Sequence, residues 1–560
     1  MENLLVNKFT NKYIQKAKEF TLQKSTLTMG TNNFEEFIVH KSNSGFTVFD
    51  RKCDHAGGKL ISTNKNKVIC PMHKWELNPA TSSYQNNIKK EPIEIAENDK
   101  EISFNLNEEE LTLPNFQNDK EIIIKFLNHA CLIFESENLK FATDPWIVGS
   151  AFNNGWWLKY KSPENAFEEL NTCDFIFISH THPDHLHEES LSKIRKDMLM
   201  YTTNFESKSS EEHLKSLGFK NIKIIEHDIG YIDEINEFYF SPLKSGDFRD
   251  DSGFIFKYGT FSCLINVDSN FINFYKLPKD LTLVASTFAS GASGFPLCFE
   301  NIKENEKNNI LRVNRISTKK INKNLITRTG TSYFLPYAGF FEESAIRDSY
   351  IKENNSKNKI EDYSFLQIDN DVTVLSVEFF QEFTFNGTKL QNKKGEPLIL
   401  NSNLDTTSSI INFKDEYDHL KNDDVVEYFT SANFNQNFNL LINLTDDFFN
   451  MTKQIGIIFY KDIKPDIQFP DNMRLEDFNN ENNSLHLHIR EEAFINTLLN
   501  LMPWEDLLIG FQVRVDRKPN VYNTDFWYHF SNIYTKYNAL RIAKDCNGCD
   551  SLKFSLLSNS

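Results

Sequence analysis

No apolar run in the chain reaches the ~18 residues that a membrane span requires. The opening residues, MENLLVNKFTNKYIQK, hold no apolar core of the kind a secretory signal carries. Cysteine is scarce, 8 of 560 residues, far below the density of a disulfide scaffold. Positive charge is short as well: 61 Lys and Arg face 78 Asp and Glu, a formal net charge of −17. So acidic a surface repels phosphate backbones, which argues against a broad nucleic-acid interface and leaves room only for a small anion in a local basic pocket. These absences lead us to expect a cytoplasmic chain with reduced thiols, no membrane span and no nucleic-acid partner. In a reducing compartment, clustered cysteines point to metal.

Hydrophobic residues make up 40% and charged residues 25%, so the chain can bury real cores. At roughly 150 residues per domain, its length suggests three or four domains. Asn, Lys, Ile and Phe are abundant, as in the products of AT-rich bacterial genomes. Three textures follow one another. Residues 1–115 are short apolar stretches between turn signals (EEFIVHKS, GFTVFDR, KVICPMH), which predict a small antiparallel β domain. Residues 119–345 alternate strand and helix patterns, which predict a layered α/β domain. Residues 346–560 are rich in Asn and Phe, carry no nameable catalytic motif, and read as a third, mixed α/β domain of unassigned role. The fold class is thus multidomain, α+β with α/β.

The first chemical constellation is RKCDHAGGKLISTNKNKVICPMHKW. Cys53 and His55 are followed, fourteen residues on, by Cys70 and His73. Two cysteines and two histidines make a structural zinc site in some proteins. Here each loop supplies one Cys and one His in a β domain. That suits a two-iron cluster with thiolates on one iron and imidazoles on the other. Neutral imidazoles raise the potential of such a cluster to roughly −150 to +300 mV, so ordinary reductants can load it. The two boxes, with AGG after His55 and Pro71 after Cys70, resemble the Rieske [2Fe–2S] family.

The second constellation, FISHTHPDHLH, follows a buried apolar strand. His180, His182, Asp184 and His185 crowd one loop, and so many polar groups need partners if buried. The spacing H-x-H-x-D-H resembles the metallo-β-lactamase superfamily and implies an αββα fold. TDPW at 143–146 and LNHA around His129 are similar to the same fold. The resemblance implies metal binding by His180, His182, Asp184 and His185, with His129 near the metals and Asp268 in NVDS as a bridging ligand. At the third-histidine position the candidates are Asp247 and His227. The family's last histidine has no counterpart, because ASTFASGASG stands there. A reduced ligand set is therefore expected, holding one metal ion or an asymmetric pair.

A one-electron relay has no use beside redox-inert zinc. It does serve non-haem iron that activates O₂, for which imidazole and carboxylate ligands with open positions are suited. The pairing of modules predicts an oxygenase, an oxidoreductase of the monooxygenase type. The layout also resembles the CMP-N-acetylneuraminate hydroxylase family, in TDPWIVGSAFNNGWWL, FISHTHPDHL, SGASGFP, YAGFF and VRVDRKPNVYN. That resemblance implies a [2Fe–2S] cluster on Cys53, His55, Cys70 and His73, and catalytic iron on His180, His182, His185 and Asp268. Asp184 would be a further ligand or a group orienting a histidine. It implies O₂ as oxidant, an electron-donor protein (a reductase with a ferredoxin or b-type cytochrome), and a small-molecule substrate such as a CMP-sialic acid. A homo-oligomer fits electron transfer between subunits, though nothing demands one. Two alternatives stay open: a related bacterial oxygenase of another amine, amide or natural product, and a hydrolase with an accessory cluster.

Trp156 and Trp157 are candidate pocket walls or core residues. Arg328, Arg514 and Arg517 are candidate anion contacts, since guanidinium grips phosphate and carboxylate bidentately. Cys131, Cys173 and Cys263 sit in apolar strands and read as core thiols. Cys546 and Cys549 form an isolated CNGC. His486 and His488 are expected on one strand face, and His187 is expected to be exposed.

Overall fold

The computed structural model describes residues 7–34, 36–54, 60–64, 67–69, 76–84, 88–205, 208–246, 250–478, 482–520 and 523–531. Among the sequence-derived candidates, His55, Cys70, His73, Asp247, Cys546 and Cys549 lie outside the described residues.

The centre is two eight-stranded sheets whose inner faces share one core. Period-2 placement of phenylalanine explains it. Phe238 and Phe240, then Phe254 and Phe256, project from two neighbouring strands of one sheet. Phe175 and Phe177, with Phe134 and Phe141, project from the other. All are buried. Across the gap, the rings of Phe134 and Phe256 lie 4.9 Å apart and those of Phe177 and Phe254 5.0 Å apart. A strand's side chains alternate faces, so every second position can enter one core. Fully burying such a ring is worth about 1.5–3 kcal/mol.

The sheet bearing Phe175 and Phe177 is parallel from Lys140–Thr143 through Phe175–Phe177 and Leu199–Thr203 to Asn221–Ile225. The FISHTHPDH loop leaves the end of Phe175–Phe177, where ligand sites gather in open α/β sheets. Helix Glu304–Thr329 ends at Gly330, whose φ of 58° supplies the left-handed cap that residues with a Cβ adopt rarely.

Pairing crosses both expected domain boundaries. Strand Asn7–Thr10 pairs with Ile229–Asp233 of the central domain. Strands Thr373–Val374, Glu382–Asn386 and Lys389–Lys394 extend the two central sheets beyond residue 345. Each gains backbone partners there that its short length could not supply alone.

The N-terminal region is antiparallel β throughout, in small sheets around two apolar clusters. The C-terminal region is a five-stranded mixed sheet in which Phe438–Thr445 runs parallel to Asn483–Arg490. Glu491–Leu499 is helical. This region closes against the central domain at a point only glycine permits: a Cβ on Gly155 would stand 2.1 Å from the Gly510 carbonyl oxygen.

No helix among the described residues is long and apolar enough to cross a membrane.

Candidate metal centre

Asp144, at the end of Lys140–Thr143, organises the site although the sequence reading gave it no role. Its buried carboxylate accepts from Ser179 N at 2.8 Å and from Ser179 Oγ at 2.7 Å, and it lies 3.0 Å from His185 Nδ1. A carboxylate only accepts, so Nδ1 of His185 carries the hydrogen and Nε2 turns to the centre bare. Because the Ser179 hydroxyl is spent on Asp144, its oxygen accepts from His180 Nδ1 at 2.9 Å. His180 therefore also presents Nε2. For His182 the acceptor is Glu505, whose Oε1 is 3.2 Å from Nε2. His182 thus presents Nδ1, which lies 2.9 Å from His180 Nε2. Two nitrogen lone pairs cannot face each other at that distance without a cation or a proton between them. Burial pulls the His182 imidazolium down, but the Glu505 hydrogen bond and the charges of Glu505, Asp251 and Asp506 lift it to about 9. A metal ion held here would take the place of that proton.

The donor atoms form three overlapping groups, each within 4.8 Å: His180, His182 and Asp251; His180, His185 and Asp268; His129, Asp184 and His185. Asp251 Oδ1 is 3.8 Å from His180 Nε2. His185 Nε2 is 3.4 Å from Asp184 Oδ2 and 3.5 Å from Asp268 Oδ2. His129 Nε2 is 3.1 Å from Asp184 Oδ2. Burial opposes charge on both partners, yet the His185 and His129 rings hold Asp184 well below the usual carboxylate range, and Asp184 holds His185 well above the usual imidazole range. His185 Nε2 and Asp184 Oδ1 are buried with no hydrogen-bond partner among the described residues. Orphaned buried atoms of this kind, in a mixed imidazole and carboxylate set, fit non-haem iron. His180 and His185 are shared between groups, so the set suits an asymmetric pair of ions as readily as one.

The backbone is bent to deliver these groups. His129, Asp144 and Val267, the residue before Asp268, have φ of 41°, 37° and 52°. For a β-branched valine that region is a genuine outlier, and such strain collects at functional sites.

Several sequence expectations resolve here. His180, His182, Asp184, His185, His129 and Asp268 are brought together. The carboxylate facing His180 is Asp251, in the same SPLKSGDFRDDSGF stretch as Asp247 but placed by the start of strand Ser252–Tyr258. His227 stands apart: its ring lies against Phe205, 5.7 Å between centroids, and burial takes its pKa to about 3. His187 is buried rather than exposed, because its Nδ1 accepts from Ser190 N and caps helix Glu188–Ser192. Glu505 escaped notice for a plain reason: it comes 323 residues after His182 and sits in no motif. Its neighbour Asp506 is buried, carries two carboxylate oxygens without a hydrogen-bond partner among the described residues, and is pushed well up by that burial.

Of the four expected cluster ligands, Cys53 is described. It is buried among Ile38, Phe49, Leu60, Val68, Leu77 and Tyr84. The Tyr84 hydroxyl donates to Asp54 Oδ2 at 2.8 Å, beside it in the chain.

A cavity of about 210 Å³ opens onto His182, Asp184 and Asp268. Trp156 forms one wall, stacked on Phe341 with ring centroids 3.5 Å apart, and its indole donates to the Ile509 carbonyl at 2.8 Å. Asn270, Thr287, Ser290 and Thr318 add polar groups. Trp157 is buried behind the wall, donating to the Asn154 carbonyl at 3.2 Å. Arg328, Arg514 and Arg517 do not line this cavity; they lie over the rings of Tyr275, Phe449 and Phe299. Cys131, Cys173 and Cys263 are buried. His486 and His488 share one strand face with rings 4.3 Å apart.

Two family models match the chain: a Rieske [2Fe-2S] domain over residues 12–97 and a beta-lactamase superfamily domain over residues 123–250. The chain is 30% identical over 535 residues to the cytidine monophosphate-N-acetylneuraminic acid hydroxylase of Xenopus laevis, covering 89% of this chain and 88% of that one. The enzyme of the same name from Mus musculus is 28% identical over 537 residues, covering 89% and 91%. Among solved structures, an isothiocyanate hydrolase from Delia radicum gut bacteria matches 47% of this chain and 99% of its own, with 15% identity and a TM-score of 0.34. CmlA, a diiron β-hydroxylase from Streptomyces venezuelae, matches 49% of this chain and 55% of its own, with 15% identity and a TM-score of 0.33.

Proposed function

The chain belongs to the cytidine monophosphate-N-acetylneuraminic acid hydroxylase family, and from that premise we propose that its substrate is a CMP-linked sialic acid whose N-acetyl methyl group it hydroxylates to N-glycolyl. It is a Rieske-dependent oxygenase that uses O₂, an electron donor and a small-molecule substrate. The overall reaction balances as methyl group plus O₂, two electrons and two protons, giving hydroxymethyl and water. We assign the electrons to a reductase working through a ferredoxin or a b-type cytochrome.

When bound, iron at the histidine and aspartate centre supplies O₂ activation, and the [2Fe–2S] cluster supplies electrons one at a time. The chain's own residues do the rest. Asp144, Ser179 and Glu505 hold three imidazoles in the tautomers that turn a bare nitrogen inward. Trp156 and Phe341 give the cavity an apolar wall against which a methyl group packs and water is excluded. Thr287, Ser290, Thr318 and Asn270 offer hydrogen bonds for an amide beside that methyl.

One observation carries this reading: the cavity that reaches His182, Asp184 and Asp268 is about 210 Å³, below the range of about 300–1,000 Å³ that takes a whole drug-sized ligand. It admits one end of a nucleotide sugar, as selective oxidation of an acetamido group requires, while the sugar ring and nucleotide stay outside.

The test is a single turnover. Chemically reduced protein is mixed anaerobically with CMP-N-acetylneuraminate, then given isotopically labelled O₂. One labelled oxygen in the sugar is expected by mass spectrometry. Reoxidation of the cluster with an unchanged sugar would overturn the substrate while leaving the oxygenase standing.

A further inference from the structure

On a chain of net charge −17, helix Glu304–Thr329 is basic, with seven Lys or Arg residues against two Glu. Its inward stripe runs through Leu311, Asn322, Ile326 and Thr329, all buried. In the middle of that stripe Arg315 and Thr318 are only half-buried. The stripe opens there onto the cavity of the metal centre, which Thr318 lines. Residues three apart on a helix are neighbours, with Cβ atoms about 5–6 Å apart, so Arg315 stands one turn from that lining.

The backbone of Arg315 is tied to the cavity rim, while its guanidinium is left free. Asn358 Nδ2 donates to the Arg315 carbonyl at 3.1 Å and to the Phe288 carbonyl at 3.3 Å, and Asn358 N donates to the Ala289 carbonyl at 2.6 Å. Ala289, Ser290 and Ala292 line the cavity, and Ala292 is exposed at its mouth. Side chains on a helix lean toward its N-terminus. In that direction Lys307 Nζ donates to the Leu297 carbonyl at 3.3 Å, so Arg315 leans along the 292–297 loop that borders the mouth. Its Nε is buried with no hydrogen-bond partner, and its guanidinium joins no ion pair among the described residues.

Ser290 and Gly291 turn the loop with φ of 62° and 78°. The Ser290 hydroxyl is buried and also without a partner among the described residues. The backbone N–H groups of Gly291, Ala292 and Ser293 donate to nothing among the described residues. Successive free N–H groups in a turn form an anion-binding concavity. A buried donor is costly until an acceptor arrives, and guanidinium meets a carboxylate or phosphate with two parallel hydrogen bonds.

We propose that Arg315 and the 291–293 turn bind an oxyanion of the substrate, a carboxylate or a phosphodiester, at the cavity mouth while the acetamido end lies inside. Arg315 then determines specificity, selecting acidic acetamido sugars over neutral ones. The assignment rests on the CMP-sialic acid reading, since that molecule carries both oxyanions.

Full-length protein, loaded with cluster and iron and kept oxidised so that nothing turns over, is titrated calorimetrically with CMP-N-acetylneuraminate. Arg315→Ala is expected to weaken binding at least about tenfold, the size of one hydrogen bond to a charged group. Arg315→Lys keeps the charge without the fork and should fall between. Lys320→Ala removes the same charge from an exposed position of the helix and should bind like wild type. Arg315 has no partner to lose, so the unfolding midpoint of Arg315→Ala should not fall. Titration with CMP alone and with N-acetylneuraminate alone names the source: a loss confined to CMP assigns the phosphate, and a loss confined to the sugar assigns the carboxylate. Equal affinity in wild type and Arg315→Ala, an equal loss in Lys320→Ala, or a midpoint lowered together with the affinity would overturn the assignment. No binding of the nucleotide sugar by wild type would overturn the substrate as well, so the wild-type titration tells the two failures apart.

Discussion

Glu505 Oε1 lies 3.2 Å from His182 Nε2, so a carboxylate of the C-terminal domain determines which nitrogen of a central-domain histidine faces the metal centre. The C-terminal domain is therefore part of the site. Ile509, one turn along the same helix, lines the cavity and accepts the Trp156 indole hydrogen.

Glu505→Ala is expected to weaken metal retention or turnover by about 10–100-fold, the usual cost of losing a carboxylate that orients a ligating histidine. Iron analysis of the purified variant against wild type reads the first, and product formation the second. An unchanged iron content together with unchanged turnover would remove Glu505 from the site.

Asp251, which the sequence reading did not name, and His227, which it did, differ in their distance from the centre. Asp251→Ala should lose iron, because its carboxylate faces His180 Nε2. His227→Gln should keep it, because that ring packs on Phe205. Metal content of the two variants, measured side by side, decides between them.

Gly155 faces the Gly510 carbonyl so closely that Gly155→Ala must push the C-terminal domain off the central one. The expected loss is about 1–3 kcal/mol, the usual cost of overpacking. Denaturant unfolding reads the stability. A lowered turnover at unchanged Cys53 cluster content would report the displaced Glu505.

His529 is buried, its Nε2 donating to the Ala432 carbonyl at 2.9 Å, and burial takes its pKa from 6.5 to about 4. The folded chain thus binds this proton later than the unfolded chain as pH falls. Its contribution is fully present above about 6.5 and is lost progressively from there down to about 4. About 1.4 kcal/mol per pH unit puts the whole effect near about 3 kcal/mol. Unfolding midpoints at pH 7 and pH 5 should therefore diverge less in His529→Phe than in wild type, whatever that variant's stability at pH 7.

Much of this was legible in the sequence. Two boxes of Cys and His in short β stretches identify a cluster domain because ligand type and spacing are local properties of the chain. His180, His182, Asp184 and His185 follow one buried strand within six positions, so their convergence was also a local matter. Phe238, Phe240, Phe254 and Phe256 repeat with period two, and that alone assigns them to one face of a sheet. What lay beyond reach was contact between remote segments. The sequence pointed to Asp247 in this stretch and not to Asp251, whose place beside His180 comes from the register entering Ser252–Tyr258. Glu505 has no local signal at all.

The order of residues along the chain sets the chemistry the protein carries: which donor atoms exist, in which short loops, beside which strands. Only the packing of remote segments selects which nitrogen each histidine offers and which carboxylate answers it. The physical reason is range. Backbone periodicity and ligand spacing act over a few residues and are written in order along the chain. A hydrogen bond between His182 and Glu505, or the close approach of Gly155 to Gly510, depends on how whole domains settle against each other, and many sequences would satisfy the same local rules without making it.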